Sequence, residues 1–387
     1  MNAYDVILAG VGAAGSAAAY HLARRGARVL ALDRGTIPND QSSHGGATRI
    51  IRKAYFEHPD YVPLLTRAYE LWRDLERASG SRVLFTPGVL YAGPAHGPLV
   101  RGSLESAALH ALRVESLSEA EAGARFPGFV IPAGHRALFE PEGGYLHADG
   151  AIRAHARLAV AHGAIVRERE PVRRWAADSR GVTVETDHGI YAAASLVLCA
   201  GAWMPTLARL GVPLRVTKQT FAWFSPRATQ VDGPPSTSMQ TDQPVWAMED
   251  ADGSLYYGFP AGAGGEGVKA ARHVPGEATD PDTPSREPET AEVERVAEFL
   301  RRRVPGAAGP MLRAGACLYT NSPDGHFVLG MHPAHARVIV ASPCSGHGFK
   351  FASVMGEVLA DLSLSGCSRW PVGFLSPKRI SHKDTAG

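Results

Sequence analysis

A buried strand that runs straight into three closely spaced glycines leaves this chain little choice of beginning. Tyr4 to Ala9 reads as that strand, and Gly10, Gly12 and Gly15 follow it in G-x-G-x-x-G spacing, opening a helix that runs to about Arg25. A glycine turn at this junction leaves backbone N–H groups at the positive end of the helix, where a pyrophosphate can be held without a side-chain cation. Gly26 stops the helix, and Ala27 to Asp33 reads as a second strand. Asp33 lies 18 residues after Gly15, close to the ~20 expected of a carboxylate that bonds a ribose hydroxyl. The first 34 residues therefore read as the βαβ start of a dinucleotide-binding domain. Spacing alone does not separate NAD from FAD, because both present the same adenosine diphosphate half.

Further along, the periods of two and 3.6 residues keep alternating. Tyr61, Leu64, Leu65, Ala68, Tyr69, Leu71, Trp72 and Leu75 have helical spacing within 59–80, with Gly80 as terminator. Residues 82–92 turn β-like, Ser118 and Glu121 form a capping box, and Asp149 is expected to cap a helix from Gly150 to His162. Ser195 to Trp203 reads as a buried strand entering a glycine turn. Strand-like segments at 214–224, 245–248 and 254–259 precede a loop rich in Pro, Asp and Thr at 274–290 and a helix from Glu289 to Arg303. Strand, glycine turn and helix return at Val338–Ala341, 346–348 and Phe349–Leu364. The expected fold class is α/β: a discontinuous Rossmann-type domain from 1–80, 145–212 and 310–387, and a β-rich substrate domain, capped by helices, from 81–144 and 213–309. At 387 residues the chain is long enough for two such cores.

Charge excludes some partners. Forty basic and 38 acidic side chains leave a net charge of +2, too weak a field for a nucleic-acid surface. No apolar run is long enough for a membrane span, and nothing ahead of the first strand resembles a secretory signal, so a cytoplasmic protein is expected, monomeric or a simple homodimer. Cys199, Cys317, Cys344 and Cys367 lack metal-ligand spacing, so no metal is expected. Arg outnumbers Lys 34 to 6. A lysine retained against that bias suggests a role for a compact charge or an adjustable pKa.

Three later segments carry a family likeness: Thr48-Arg49-Ile50-Ile51-Arg52-Lys53-Ala54-Tyr55, Tyr256-Tyr257-Gly258-Phe259-Pro260 and Ser345-Gly346-His347-Gly348-Phe349-Lys350-Phe351. With Cys317-Leu318-Tyr319-Thr320 and Pro323-Asp324-Gly325-His326-Phe327, the chain resembles, nearly end to end, the monomeric sarcosine oxidase and N-methyltryptophan oxidase family. The resemblance implies an FAD-dependent oxidase of a small amino acid that carries a carboxylate, with O2 as acceptor and the flavin joined covalently to Cys317. It implies that Arg52 and Lys350 hold the substrate carboxylate, and that Lys269 activates oxygen. Arg49 and His273 are carried over as catalytic residues, with Tyr257, Tyr319 and Met248 as walls of the cavity. Besides the glycines and Asp33, the implied cofactor contacts are Ala14, Arg34, His44, Thr48, Gly346, His347, Gly348 and Lys350.

Arg49 and Arg52 sit among Ile50, Ile51, Ala54 and Tyr55, an apolar setting that demands a partner anion. Two departures stand out. The family commonly has His-His-Gly-Asp where this chain has His44-Gly45-Gly46-Ala47, which puts efficient flavin attachment in question. It tends to have Gly-Phe where this chain has Pro343-Cys344, which leaves open a cyclic imino acid or a biosynthetic intermediate as substrate. A dehydrogenase passing electrons to another acceptor is the further alternative.

Overall fold

The computed structural model describes residues 3–227, 243–282 and 287–380. Its first sheet has a parallel centre in which Gly189–Leu198, Tyr4–Ala9, Val29–Leu32 and Ile165–Arg167 lie side by side. His335–Ser342 adds to the far side of Gly189–Leu198, again in parallel. The central strands are apolar throughout because both faces are covered. Val6 and Leu8 face the helices Ala13–Arg24, Val62–Ser79, Ala148–Ala161 and Ala352–Ser365, whereas Ile7 and Ala9 pack with Val184, Met204 and Ala208. Small residues decide how closely the helices approach. A Cβ on Gly356 would lie 2.5 Å from the Ala17 backbone, so Ala13–Arg24 and Ala352–Ser365 meet nearly backbone to backbone.

The second sheet runs, in order, Met311–Asn321, Arg215–Phe224, Val268–Arg272, Leu255–Phe259, Val245–Glu249, Val89–Pro94, His135–Glu140 and Glu115–Leu117. Every neighbouring pair is antiparallel except Val245–Glu249 with Val89–Pro94. Its outer face packs on the helix Thr290–Arg303, where Phe299 stacks on Tyr256 with ring centroids 4.0 Å apart. Its inner face carries Phe221, Trp223, Ala271, Cys317 and Tyr319. A three-stranded sheet, Thr48–Ile51, Gly144–His147 and Leu84–Phe85, brings the segment that follows the nucleotide cleft beside this inner face.

Local expectations are met in part. Gly80 ends its helix with φ 68°, and Ser118 and Glu121 form the reciprocal capping box. Asp149 is not a cap: its helix starts at Ala148, so the carboxylate lies in the first turn, where it still complements the helix dipole. The division expected at 310 does not follow the sheets, because Met311–Asn321 is the edge strand of the second sheet. Its pairing with Arg215–Phe224 runs from Met311 to Asn321, a long-range contact that periodicity cannot reveal. No helix among the described residues is long and apolar enough to cross a membrane.

Substituting Gly356 by Val should push the two helices apart, costing about 1–3 kcal/mol or more through overpacking. Thermal unfolding followed by circular dichroism should show a lowered Tm, and an unchanged Tm would contradict the close approach.

Candidate active site

The C-terminal ends of the parallel strands open into a cleft of about 820 Å³ lined by residues 9–14, 32–39, 41–44, 199–203 and 341–344. Gly10 has φ 105°, and a Cβ on Gly15 would sit 2.0 Å from the Gly10 carbonyl oxygen, so each glycine is required by the turn. Gly12 precedes the first helix without a side-chain cap, and the first helical turn carries no acid, which leaves its N–H groups facing the cleft. The Asp33 carboxylate accepts from the Val11 N–H at 2.7 Å and the Gly35 N–H at 2.9 Å, tying the end of the second strand to the glycine turn. Arg34 closes one side of the cleft by pairing with Asp282 at 2.9 Å and lying 4.1 Å from the centroid of the Trp203 ring.

Just past His44 in the chain, Gly46 and Thr48 meet a buried cation. Lys269 is 2% exposed, and its ammonium donates to the carbonyl oxygens of Gly46 and, at 3.1 Å, Thr48. The rings of Phe259, Phe221 and Trp223 surround it, with centroids 5.0, 5.1 and 5.7 Å away. Burial, reinforced by the Arg49 charge, holds its pKa well below the ordinary lysine value. Arg49 spends its donors on the carbonyls of Ser43, Gly45 and Thr48 at 2.7 to 2.9 Å. Cys317 belongs to the same neighbourhood: it packs with Phe221 and Trp223, and a Cβ on Gly45 would lie 3.9 Å from its own. A larger residue at position 46 would meet Phe221 at 2.9 Å and the Lys269 ammonium at 3.1 Å, which explains a glycine there.

A second cluster adjoins the first. Arg52 lies 4.4 Å and Lys350 5.2 Å from the centroid of the Tyr55 ring, so one ring serves two cationic groups. The Tyr55 hydroxyl meets His347 Nδ1 at 2.5 Å, and His347 Nε2 donates to the Gly325 carbonyl at 3.0 Å. That second contact sets the tautomer, leaving Nδ1 to accept from Tyr55. Burial lowers His347 to about 3 and His273 to about 4, so both imidazoles are neutral at physiological pH. His273 Nδ1 contacts the Tyr319 hydroxyl at 3.3 Å, and a Cβ on Gly346 would strike both rings. Tyr257 lies beside them, its ring centroid 6.3 Å from that of His273.

Of the residues read from the sequence, the fold brings together Arg49, Arg52, Tyr257, Lys269, His273, Cys317, Tyr319, Gly346, His347 and Lys350. It does not bring Met248, which pairs with Tyr256 on the outer face and packs with Trp246 and Phe299. Period-two alternation decides this, since Ala247 and Tyr257 occupy the inner positions. Gly348 serves the turn itself, its Cα hydrogen aimed at the Pro343 carbonyl, where a Cβ would come within 1.6 Å. The anion demanded by Arg52 is Glu57, whose two oxygens lie 2.7 Å from one guanidinium nitrogen. Burial opposes ionisation of Glu57, and Arg52 outweighs it, holding the acid at about 2. Glu57 was missed on sequence because a turn of five residues, not a periodic element, returns it to Arg52. The aromatic surround of Lys269 was legible in principle, since Thr217, Gln219, Phe221 and Trp223 alternate along one strand.

Comparison with known proteins agrees with this geometry. A family model described as FAD dependent oxidoreductase matches residues 5–362. The chain belongs to the FAD-dependent oxidoreductase family. It is 42% identical to a monomeric sarcosine oxidase of Streptomyces avermitilis over 98% of both chains. An N-methyl-L-tryptophan oxidase of Citrobacter koseri is 37% identical, over 93% of this chain and 94% of that protein. Among solved structures, NikD, described as an unusual amino acid oxidase essential for nikkomycin biosynthesis, superposes with a TM-score of 0.83 at 28% identity, covering 97% of this chain and 98% of that one. L-proline dehydrogenase from P. horikoshii has the same fold, with a TM-score of 0.83 at 21% identity over 98% of each chain.

The residues present fit FAD. The glycine turn and uncapped helix start suit its pyrophosphate, and the buried Ser43 hydroxyl in the cleft wall finds no partner among the described residues. His44, 4% exposed and lowered to about 3 by burial, stands as a neutral imidazole beside the turn. Replacing Gly15 by Val should leave a chain that purifies without flavin, seen as loss of visible absorbance at constant protein. A yellow, fully loaded variant would show that the glycine turn does not hold the cofactor.

Proposed function

We propose that this protein oxidises the C–N bond of a small secondary amino acid, N-methyl or cyclic, using FAD joined to Cys317. The observation that carries the substrate class is Lys350: its buried ammonium donates to the His347 carbonyl at 2.8 Å, lies near Arg52, and has no carboxylate hydrogen-bonded to it among the described residues. A buried cation so placed is stabilised by an incoming anion, and a guanidinium paired with an ammonium suits an α-carboxylate. Seating that carboxylate displaces Glu57 from part of its contact with Arg52, so binding exchanges one anion for another. Tyr257, His273 and Tyr319 form the wall around the remainder of a small substrate.

When bound, FAD would supply the redox chemistry, accepting a hydride equivalent from the carbon beside nitrogen, with O2 as the final acceptor of two electrons and two protons to give H2O2. Arg52 and Lys350 orient the substrate by its carboxylate. Neutral His273 accepts or donates a hydrogen bond without adding charge beside the amine. Lys269, held by two backbone carbonyls within an aromatic cage, places positive charge where negative charge develops on oxygen. The imine leaves the site and hydrolyses in water. None of the four cysteines is in a disulfide, as expected of a reducing compartment, and the cytoplasm is the proposed location.

N-methylglycine and a cyclic imino acid such as proline should each be offered to the purified protein. Anaerobic bleaching of the flavin followed by peroxide release in air is expected from at least one; bleaching without peroxide would point to a dehydrogenase. After acid precipitation the flavin should stay with the chain and be lost in Cys317→Ala, and flavin in the supernatant of the unaltered protein would remove Cys317 from that role.

A pH dependence follows from Lys350, whose pKa is lowered to about 7 by burial and by Arg52. A bound carboxylate raises that pKa. Affinity for a carboxylate ligand is therefore full below pH 7 and falls as the pH rises through 7, by up to about tenfold per unit. Titration with acetate, read by the flavin spectrum, should show this fall, and Lys350→Met should abolish it. An equal slope in the variant would exclude Lys350.

A further inference from the structure

The buried acid Glu140 has no place in the chemistry above, yet it touches the segment on which that chemistry depends. It ends the strand His135–Glu140 and is 2% exposed. Its carboxylate accepts from the Tyr91 hydroxyl at 2.6 Å, the Lys53 N–H at 2.6 Å and the Ala54 N–H at 3.1 Å. Both backbone donors immediately follow Arg52, at the point where the chain leaves the strand Thr48–Ile51 and turns towards Tyr55 and Glu57. The two N–H groups go to different oxygens, Lys53 to Oε1 and Ala54 to Oε2, so an amide in this place would turn its NH2 towards one of them.

The carbonyl side of the same segment is held as well. Ser106 Oγ donates to the Tyr55 carbonyl at 2.6 Å and Ser103 Oγ to the Ala54 carbonyl at 3.4 Å, and both serines are fully buried in the helix Pro98–Leu109. Arg52 closes the arrangement, one of its terminal nitrogens donating to the Ala54 carbonyl at 3.0 Å. The N–H groups of Lys53 and Ala54 are thus fixed from the strand and the carbonyls of Ala54 and Tyr55 from the helix. Glu140 and Arg52 feel each other's charge but share no hydrogen bond among the described residues, and the 53–54 backbone is what links them.

We propose that Glu140 is the positioning residue for Arg52: its carboxylate fixes the 53–54 backbone so that the guanidinium faces a substrate carboxylate shared with Lys350. This rests on the reading of Arg52 and Lys350 as the carboxylate seat. Ser103 and Ser106 limit the loop from the other side, so loss of Glu140 misdirects Arg52 without releasing the whole segment. The effect falls on binding of the anion more than on the chemical step.

The test is a double-mutant cycle on the FAD-loaded protein, with acetate as probe and its Kd read from the flavin spectrum, alongside kcat and KM for the amino acid that the protein oxidises. Glu140→Gln should raise the acetate Kd about tenfold, the equivalent of losing one hydrogen bond to a charged group. KM should rise similarly, with kcat falling much less. Arg52→Met should raise the Kd too, and the Glu140→Gln/Arg52→Met double variant should match Arg52→Met alone, because Glu140 acts through Arg52. Additive losses, or a fall in kcat with KM unchanged, would overturn the proposal. If Arg52→Met weakens acetate and Glu140→Gln does not, only the role of Glu140 fails; if Arg52→Met has no effect, the carboxylate seat fails and the proposal with it. Should Glu140→Gln not fold, Tyr91→Phe, which removes one bond to the carboxylate and keeps its charge, goes through the same cycle, with a smaller rise expected that again vanishes in Arg52→Met.

Discussion

Two lysine ammonium groups are kept out of water here without a carboxylate hydrogen-bonded to either among the described residues, and much of the surrounding architecture follows from that constraint. Removing a cation from water is costly, and what offsets the cost is a set of backbone carbonyls and ring faces brought from different parts of the chain. Lys269 takes carbonyls from residues 46 and 48, which follow the nucleotide cleft, and three rings from two strands of the second sheet. Lys350 takes its carbonyl from the turn that leads into the last long helix. Such sites are stable only while the elements that supply these groups stay in register, and they attract negative charge.

The fold meets that demand by stacking functions along one path. Parallel strand ends and a glycine turn shape the nucleotide cleft, the short sheet at 48–51 carries the chain from it, and the inner face of the second sheet closes the far end. The two loops that bear Arg52 and Lys350 are joined through the contact of Tyr55 with His347.

The nucleotide turn was legible because its signal is local: three glycines, a strand before, a helix after and a carboxylate at the right distance all lie within 34 residues. The helix at 62–79 was legible for the same reason, its buried positions repeating with the period of a helix. Asp149 was misread because a residue that favours a helix cap also favours the first turn. Met248 was misplaced because the choice between two faces of a strand depends on the strand beside it. Glu57 and Glu140 left no trace in periodicity, for a single acid in a turn or at a strand end looks like a solvated one until its partners are known.

By itself, then, the sequence determined the βαβ opening, the α/β class and the membership of the family, and through the resemblance it singled out Arg52, Lys269 and Lys350. Only the tertiary structure decided that Met311–Asn321 joins the second sheet, that Glu57 answers Arg52 and that Glu140 holds the backbone beside it. The physical reason is range. Helix periods and glycine turns are set by neighbours within one turn of chain, whereas the cost of a buried charge is met by groups up to hundreds of residues away, as the Gly46 carbonyl is from Lys269.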